Sequence, residues 1–262
     1  MDLGLKDRVA IVTGGSRGIG KACAKELLAE GAIAVLVSQS PENNAATVRE
    51  LEKAYPGRVT GIPTDVNDDA AIGAMTAQVM KRLGRIDILV NSAATVIPED
   101  FFKMDDAHLS NLLNQKFNAA AHCIRHAVPH MRQRKWGRII NLSGLGGRQP
   151  HFTVVPAALN NAAMLNLTKS LAAALAKDNI LINAVVPYII NTERQDETMK
   201  EWAEMTGQTE AEVRKQRVSK VPVGRMGRPD EVAAVVAFMA SDRASYVVGT
   251  AWYVDGGGSM SL

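Results

Sequence analysis

Cysteine is scarce in this chain. Cys23 and Cys123 are the only two among 262 residues, both in stretches of helical pattern and without motif spacing. That excludes a disulfide framework and fits a reducing compartment. Long apolar runs are also missing. The start, Met1 to Gly15, holds none of signal-peptide length, and no later segment approaches a membrane span. A soluble cytoplasmic protein is the expectation, with no membrane partner. Nor is one sign of charge in large excess: the net charge is +3 and is spread along the chain. The tightest basic cluster, Met131–Arg138, reads as a solvated turn between a helix and a strand rather than a nucleic-acid patch. A final absence is local. From Thr153 to Thr168 there is no Asp, Glu, His, Tyr, Cys, Arg or Lys.

What is present is enough for a core. With 47% hydrophobic and 22% charged residues the chain is neither disordered nor too small to bury an interior. Short β-branched runs alternate with long amphipathic stretches. Strands are expected at Val9–Thr13, Ala32–Ser38, Val59–Pro63, Ile86–Asn91, Gly137–Leu142, Ile180–Val186 and Ala251–Val254. Helices are expected at Ile19–Glu30, Pro41–Tyr55, Asp68–Leu83, two stretches up to Arg134, Pro156–Lys177 and Pro229–Ala240, with Pro129 disturbing a last turn. The strands are continuous apolar runs, as in a parallel sheet covered on both faces. The pattern predicts an α/β fold: one doubly wound, Rossmann-like domain over 1–262 with helices on both faces. The polar stretch Thr192–Lys220 interrupts it as a helical insertion, read as a lid over a substrate pocket.

The segment "TGGSRGIG", Thr13–Gly20, joins the first strand to the first helix. Gly14, Gly18 and Gly20 let the backbone turn tightly and approach a pyrophosphate. Ser16, Arg17 and Ile19 complete a loop that opens a helix N-terminus. At this point the chain resembles the short-chain dehydrogenase/reductase family, nearly end to end. Asp65-Val66 resembles the family's adenine-contacting pair, and Asn91-Ser-Ala-Ala94 its N-N-A-G motif. Asn183-Ala-Val-Val-Pro187 is similar to N-x-V-x-P, with Pro187 and Ile190 near the nicotinamide and Thr192 where the family holds its carboxamide. "GRMGRPDEVA" and "GTAWYVDGG" resemble C-terminal signatures that usually pack at tetramer interfaces, which implies a homo-oligomer, tetramer or dimer.

The resemblance implies a nicotinamide cofactor and a small-molecule substrate. NAD-preferring members usually end the second strand with an acid that binds the ribose diol. Here the segment is Ser38-Gln39-Ser40, and Arg17 is within the loop to meet a 2′-phosphate. NADP(H) is therefore expected over NAD(H).

The family's catalytic positions do not carry over. Its Tyr falls on Ala157, its Lys on Asn161, its Ser on Gly144 with Ser143 adjacent, and its Asn on Lys116 with Asn118 nearby. A general acid is typically worth about 10²–10⁴ in rate. Three residues are candidates to replace it: Tyr188, beside the nicotinamide position; His151, in the loop before the Pro156 helix; and Lys116. Ser143 is a fourth candidate, as substrate-orienting hydroxyl. Asn161 is placed to bond the ribose. His122, His126 and His130 recur every four residues, but nothing completes a metal set and no metal is expected.

Three readings remain open. One is an NADP(H)-dependent oxidoreductase with a relocated proton donor, acting on a small carbonyl or alcohol. A second is a non-catalytic NADP(H)-binding protein or structural partner of an active homologue. The third is a lyase or isomerase on the same scaffold, since fold does not fix function.

Overall fold

The structure, a computed structural model, describes residues 1–93 and 100–260. Seven parallel strands form one sheet: β1 Val9–Thr13, β2 Ile33–Ser38, β3 Val59–Pro63, β4 Ile88–Asn91, β5 Gly137–Leu142, β6 Ile180–Pro187 and β7 Ala251–Val254. Their order is β3-β2-β1-β4-β5-β6-β7. The order reverses between β1 and β4, so a crevice opens beyond their carboxyl ends, where ligands of doubly wound sheets bind.

The helices are α1 Gly18–Ala29, α2 Pro41–Glu52, α3 Asp69–Leu83, α4 Asp106–Leu113, α5 Ala119–Arg134, α6 Val155–Ala176, α7 Glu193–Thr206, α8 Glu210–Val218 and α9 Pro229–Ala240. Their ends follow local chemistry. Asp68 accepts hydrogen bonds from the Ala70 and Ala71 amides to open α3, and left-handed Gly84 closes it. Ser40 caps α2 in front of Pro41. Every residue of β1, β4, β5 and β6 is buried. One face of the sheet packs Val12, Ile140 and Val185 with Leu27 and Val236 from α1 and α9. The other packs Ile11, Ile139 and Ile182 with Val79, Met131 and Leu175 from α3, α5 and α6.

Three expectations needed adjustment. β4 starts at Ile88 rather than Ile86, because the buried Asp87 carboxylate is occupied by Arg85 and by the Val9 amide just before pairing begins. α2 ends at Glu52, three residues early, where the chain turns at Pro56-Gly57 with Gly57 at φ +72°. α5 runs unbroken through Pro129 to Arg134. The lost proline N–H falls on a helix anchored by Cys123, Ile124, Ala127, Val128 and Met131, all buried.

The basic run Met131–Arg138 is neutralised inside the chain. Arg132 and Lys135 both bond Asp178, and Arg138 is buried beside Asp242. The stretch 192–220 is helical as expected, forming α7 and α8 outside the sheet. Among the described residues no helix is long and apolar enough to cross a membrane.

Candidate active site

The glycine loop has the shape of a phosphate cradle. Gly14 sits at φ +65°, and a Cβ there would lie 3.0 Å from the Ala93 amide nitrogen. A Cβ on Gly20 would overlap the Gly14 carbonyl, so the loop can close on the first turn of α1 only with glycine in both places. Arg17 precedes α1 in extended conformation, and no side chain caps that N-terminus. Its first N–H groups are thereby left for an anion. Thr13 Oγ1 accepts from the Ser92 and Ala93 amides, tying the β1 end to the β4 end. Asn91 donates to Asn141 at 2.8 Å, which donates to Thr168 at 2.9 Å, a buried polar chain behind the crevice. Ala94 lies outside the described residues.

The ends of β2 and β3 make the next wall. Gln39 Nε2 donates to Asp65 Oδ2 at 3.2 Å, which ties the end of β2 to the residues after β3. Ser38 accepts from Asn44, and Ser40 caps α2. Val66 packs at the edge of the core. Arg17 does not wait in solvent. Its Nη1 donates to Glu197 Oε1 of α7 at 2.6 Å. Both side chains are about half exposed, so the pair contributes about 1 kcal/mol or less and can yield to a phosphate. Thr192 caps α7 by accepting from the Gln195 amide, and its methyl group lies beside Gly18. Pro187 ends β6, and Ile190 bridges to Gly227 just beyond it.

Of the catalytic candidates, one is brought to the centre. A single π turn, Asn114–Asn118, joins α4 to α5 and carries Lys116. Such turns change the phase of a helix and recur at functional sites. Lys116 Nζ donates to Asn161 Oδ1 at 2.7 Å and to the Ser143 carbonyl at 3.0 Å. The ammonium therefore lies at the meeting of α6 and the end of β5, against Asn161. Burial alone lowers its pKa to about 8. No carboxylate pairs with it among the described residues.

The other candidates are held elsewhere. Ser143 Oγ donates to the Asn161 carbonyl at 2.9 Å, fastening β5 to α6 rather than facing a substrate. Gly144 cannot take the family's serine freely, since its Cβ would lie 2.8 Å from Asn161 Nδ2. Asn118 donates to Asn114 on its own helix. His151 is exposed at the mouth, stacked on Phe152 with centroids 4.6 Å apart and tilted against Trp202 at 5.9 Å. Its pKa is lowered by partial burial and by Lys220 and Arg217 nearby. Tyr188 lies over Gly258, where a Cβ would meet its ring at 2.6 Å. An apolar cleft of about 350 Å³ runs beside this mouth, lined by Gly146, Pro150, Phe152, Val155 and Ala158 among others. His122 and His126 are directed to Asp69 of α3, at 3.6 and 3.1 Å, away from the crevice.

Residues 14–259 match the family described as Enoyl-(Acyl carrier protein) reductase. The chain is 30% identical over 257 residues to the 3-oxoacyl-(acyl-carrier-protein) reductase FabG of Aquifex aeolicus, covering 98% of this chain and 99% of that one. It belongs to the short-chain dehydrogenase/reductases. Another member, the 3alpha-hydroxysteroid dehydrogenase of Mediterraneibacter gnavus, is 34% identical over 255 residues, 96% of this chain and 97% of its own. Among solved members, the L-sorbose reductase of Gluconobacter frateurii, complexed with NADPH and L-sorbose, superposes with a TM-score of 0.94 at 32% identity over the full length of both chains. The actinorhodin polyketide ketoreductase with NADPH gives 0.93 at 27% identity, covering 97% of this chain and 98% of that one. These relatives are oxidoreductases, and NADPH occupies both of the solved ones.

The crevice fits such a nucleotide on its own evidence: glycines that exclude a Cβ and a helix N-terminus with no side-chain cap. Sequence reasoning missed the partner of Arg17, Glu197, and it missed Trp202 and Arg217 of α7 and α8, close to His151 and Tyr188. Nothing in the stretch 192–220 marks them, because these neighbours come from other parts of the chain.

Proposed function

We propose that this short-chain dehydrogenase/reductase interconverts a small carbonyl compound and its alcohol with NADP(H), and that Lys116 replaces the family's tyrosine as the group that moves the proton. The observation that carries this reading is the Lys116 ammonium. It is partly buried, has no carboxylate partner among the described residues, and is held by Asn161 and the Ser143 carbonyl, next to the positions that the resemblance gives to the family's lysine and serine.

Two of the three ammonium N–H groups are engaged, which leaves the third for a substrate oxygen. A pKa of about 8 makes Lys116 a stronger acid than an ordinary lysine while keeping it mostly charged at neutral pH. Bound NADP(H) supplies the hydride in reduction and accepts it in oxidation. In reduction Lys116 Nζ gives its proton to the carbonyl oxygen as the carbon is reduced, and the amine is reprotonated from water. In oxidation the neutral amine takes the alcohol proton. Asn161 Oδ1 orients Nζ throughout, and Ser143 Oγ fixes the helix that carries Asn161.

The preference for NADP(H) is supported by Arg17 and by the uncharged Ser38-Gln39-Ser40 segment. The remaining cofactor contacts proposed are those of Gly14, Ser16, Gly18, Ile19, Gly20, Asp65, Val66, Asn91, Ala93, Asn161, Pro187, Ile190 and Thr192. Edge strand β7 with exposed Trp252, and fully exposed Tyr246, favour self-association into a dimer or tetramer. Two buried free thiols fit a cytoplasmic setting.

The test is a titration with NADPH and NADH, followed by NADPH consumption over a panel of small ketones and aldehydes. Micromolar NADPH binding, an interaction of about −8 kcal/mol, with consumption on part of the panel is expected. Tight NADPH binding with no consumption on any carbonyl would return the chain to a nucleotide-binding role.

A further inference from the structure

The pair of helices α7 and α8 is rich in charge, and part of that charge is satisfied by ion pairs within the chain. Arg194 pairs with Glu197 at 2.9 Å and Glu201 at 3.1 Å, Arg214 with Asp196 at 2.6 Å, and Arg17 reaches Glu197 from the glycine loop. Arg217 of α8 is different. Its Nε is buried without a hydrogen-bond partner, and no carboxylate pairs with it among the described residues. Arg138, more deeply buried, has Asp242 beside it at 3.5 Å. Burying a guanidinium without an anion is costly.

Its surroundings are donors as well. The Arg217 guanidinium carbon lies 5.4 Å from the centroid of the Trp202 ring. A ring face attracts the cation but leaves its N–H groups without an acceptor. Trp202 Nε1 is itself buried and unpartnered, and so is Gln195 Nε2, which lies seven residues earlier on the same face of α7. Trp202 touches His151 at the mouth, and Arg217 lies close enough to His151 to lower its pKa and close enough to Tyr188 to be influenced by it. Unanswered donors thus gather where α7 and α8 meet, close to His151 and Tyr188.

We infer that Arg217, with the Trp202 indole N–H, binds an anionic group of the substrate, a carboxylate or a phosphate, and so fixes the orientation of its carbonyl toward Lys116. The apolar cleft beside His151 and Phe152 takes the rest of the molecule. This rests on the oxidoreductase reading for its carbonyl but not for its anion. Arg217 is a specificity residue and touches no reacting atom.

The experiment compares phenylpyruvate with its methyl ester as substrates of the NADPH-loaded protein, in the native chain, Arg217→Gln and Arg217→Lys, with folding checked by circular dichroism. The native chain is expected to favour the acid by tenfold or more in kcat/KM. Arg217→Gln should raise KM for the acid by roughly ten- to a hundredfold with kcat little changed and the ester unaffected. Arg217→Lys, which keeps the charge without the fork, should fall between them. Equal use of acid and ester by the native chain, or an equal loss for both in Arg217→Gln, overturns the inference. Calorimetry with benzoate, phenyl phosphate and benzamide separates this from the oxidoreductase reading. If no carbonyl is reduced but benzoate or phenyl phosphate binds in an Arg217-dependent way and benzamide does not, the anion site stands and the redox reading falls. The stronger of the two anions identifies the group. Binding of neither anion overturns the site.

Discussion

Lys116 Nζ lies 2.7 Å from Asn161 Oδ1, so a positive charge meets α6 here from the turn between α4 and α5. Its lowered pKa of about 8 makes a prediction of opposite signs for the two directions. Reduction needs the ammonium, so its kcat/KM should fall as pH rises through about 8. Oxidation needs the free amine and should rise through the same range. Initial rates in both directions between pH 6 and 10 check this.

The same group should show in stability. Below about 8 the folded and unfolded chains both carry the proton; between there and the free-lysine value of 10.5 only the unfolded chain does. The unfolded state then binds more protons, so the Lys116 contribution rises with pH across that window. The buried thiols of Cys23 and Cys123, pushed up to about 12 from 9.0, act oppositely above pH 9. The difference in unfolding free energy between the native chain and Lys116→Met isolates the lysine. Native stability should gain on the variant by roughly 1–3 kcal/mol from pH 7.5 to 10.5.

A charge swap tests the pairing. Asn161→Lys alone places two ammonium groups in contact and should cost about 1–3 kcal/mol of stability. Adding Lys116→Asn returns a single cation to the site and should recover most of that loss. Denaturant unfolding of the two single variants and the double variant gives the coupling directly.

Gly144→Ser should harm rather than repair. It restores the residue type common in the family, but its Cβ would press on an Asn161 side chain already held by Lys116. A loss of about 1–3 kcal/mol and a weakened pH dependence are expected, read by thermal unfolding and by the rate profile.

With Arg17 as the proposed ligand of the 2′-phosphate, Glu197 is its competitor. Arg17→Ala should weaken NADPH binding about tenfold and leave NADH nearly unchanged. Glu197→Gln should tighten NADPH a few-fold by freeing the guanidinium. Fluorescence titration with both nucleotides measures each effect.

The sheet was legible because its strands are continuous apolar runs with glycine or proline at their ends. The glycine loop was legible because a strand, a turn and a helix N-terminus are contiguous in sequence. The assignment of Ala157 and Asn161 to the family's Tyr and Lys positions is a reading of spacing along α6. Lys116, His151 and Tyr188 come from three separate elements, and the approach of Lys116 to Asn161 depends on a π turn that no local pattern announces. Ser143 looked available from its position next to Gly144, but only the packing of β5 on α6 shows its hydroxyl engaged by a helix carbonyl. The Arg17–Glu197 pair joins residues far apart in the chain, and the Arg217–Trp202 contact depends on the turn between α7 and α8; neither leaves a sequence signature.

The most direct test of Lys116 as proton donor is single-turnover oxidation of bound NADPH by the Lys116→Met variant at pH 7, with the best carbonyl substrate of the native chain. The account predicts that the variant folds and binds NADPH like the native chain but oxidises it about 10²–10⁴ times more slowly. Oxidation within a few-fold of the native rate would contradict it and move the search for the proton donor to Tyr188 or His151.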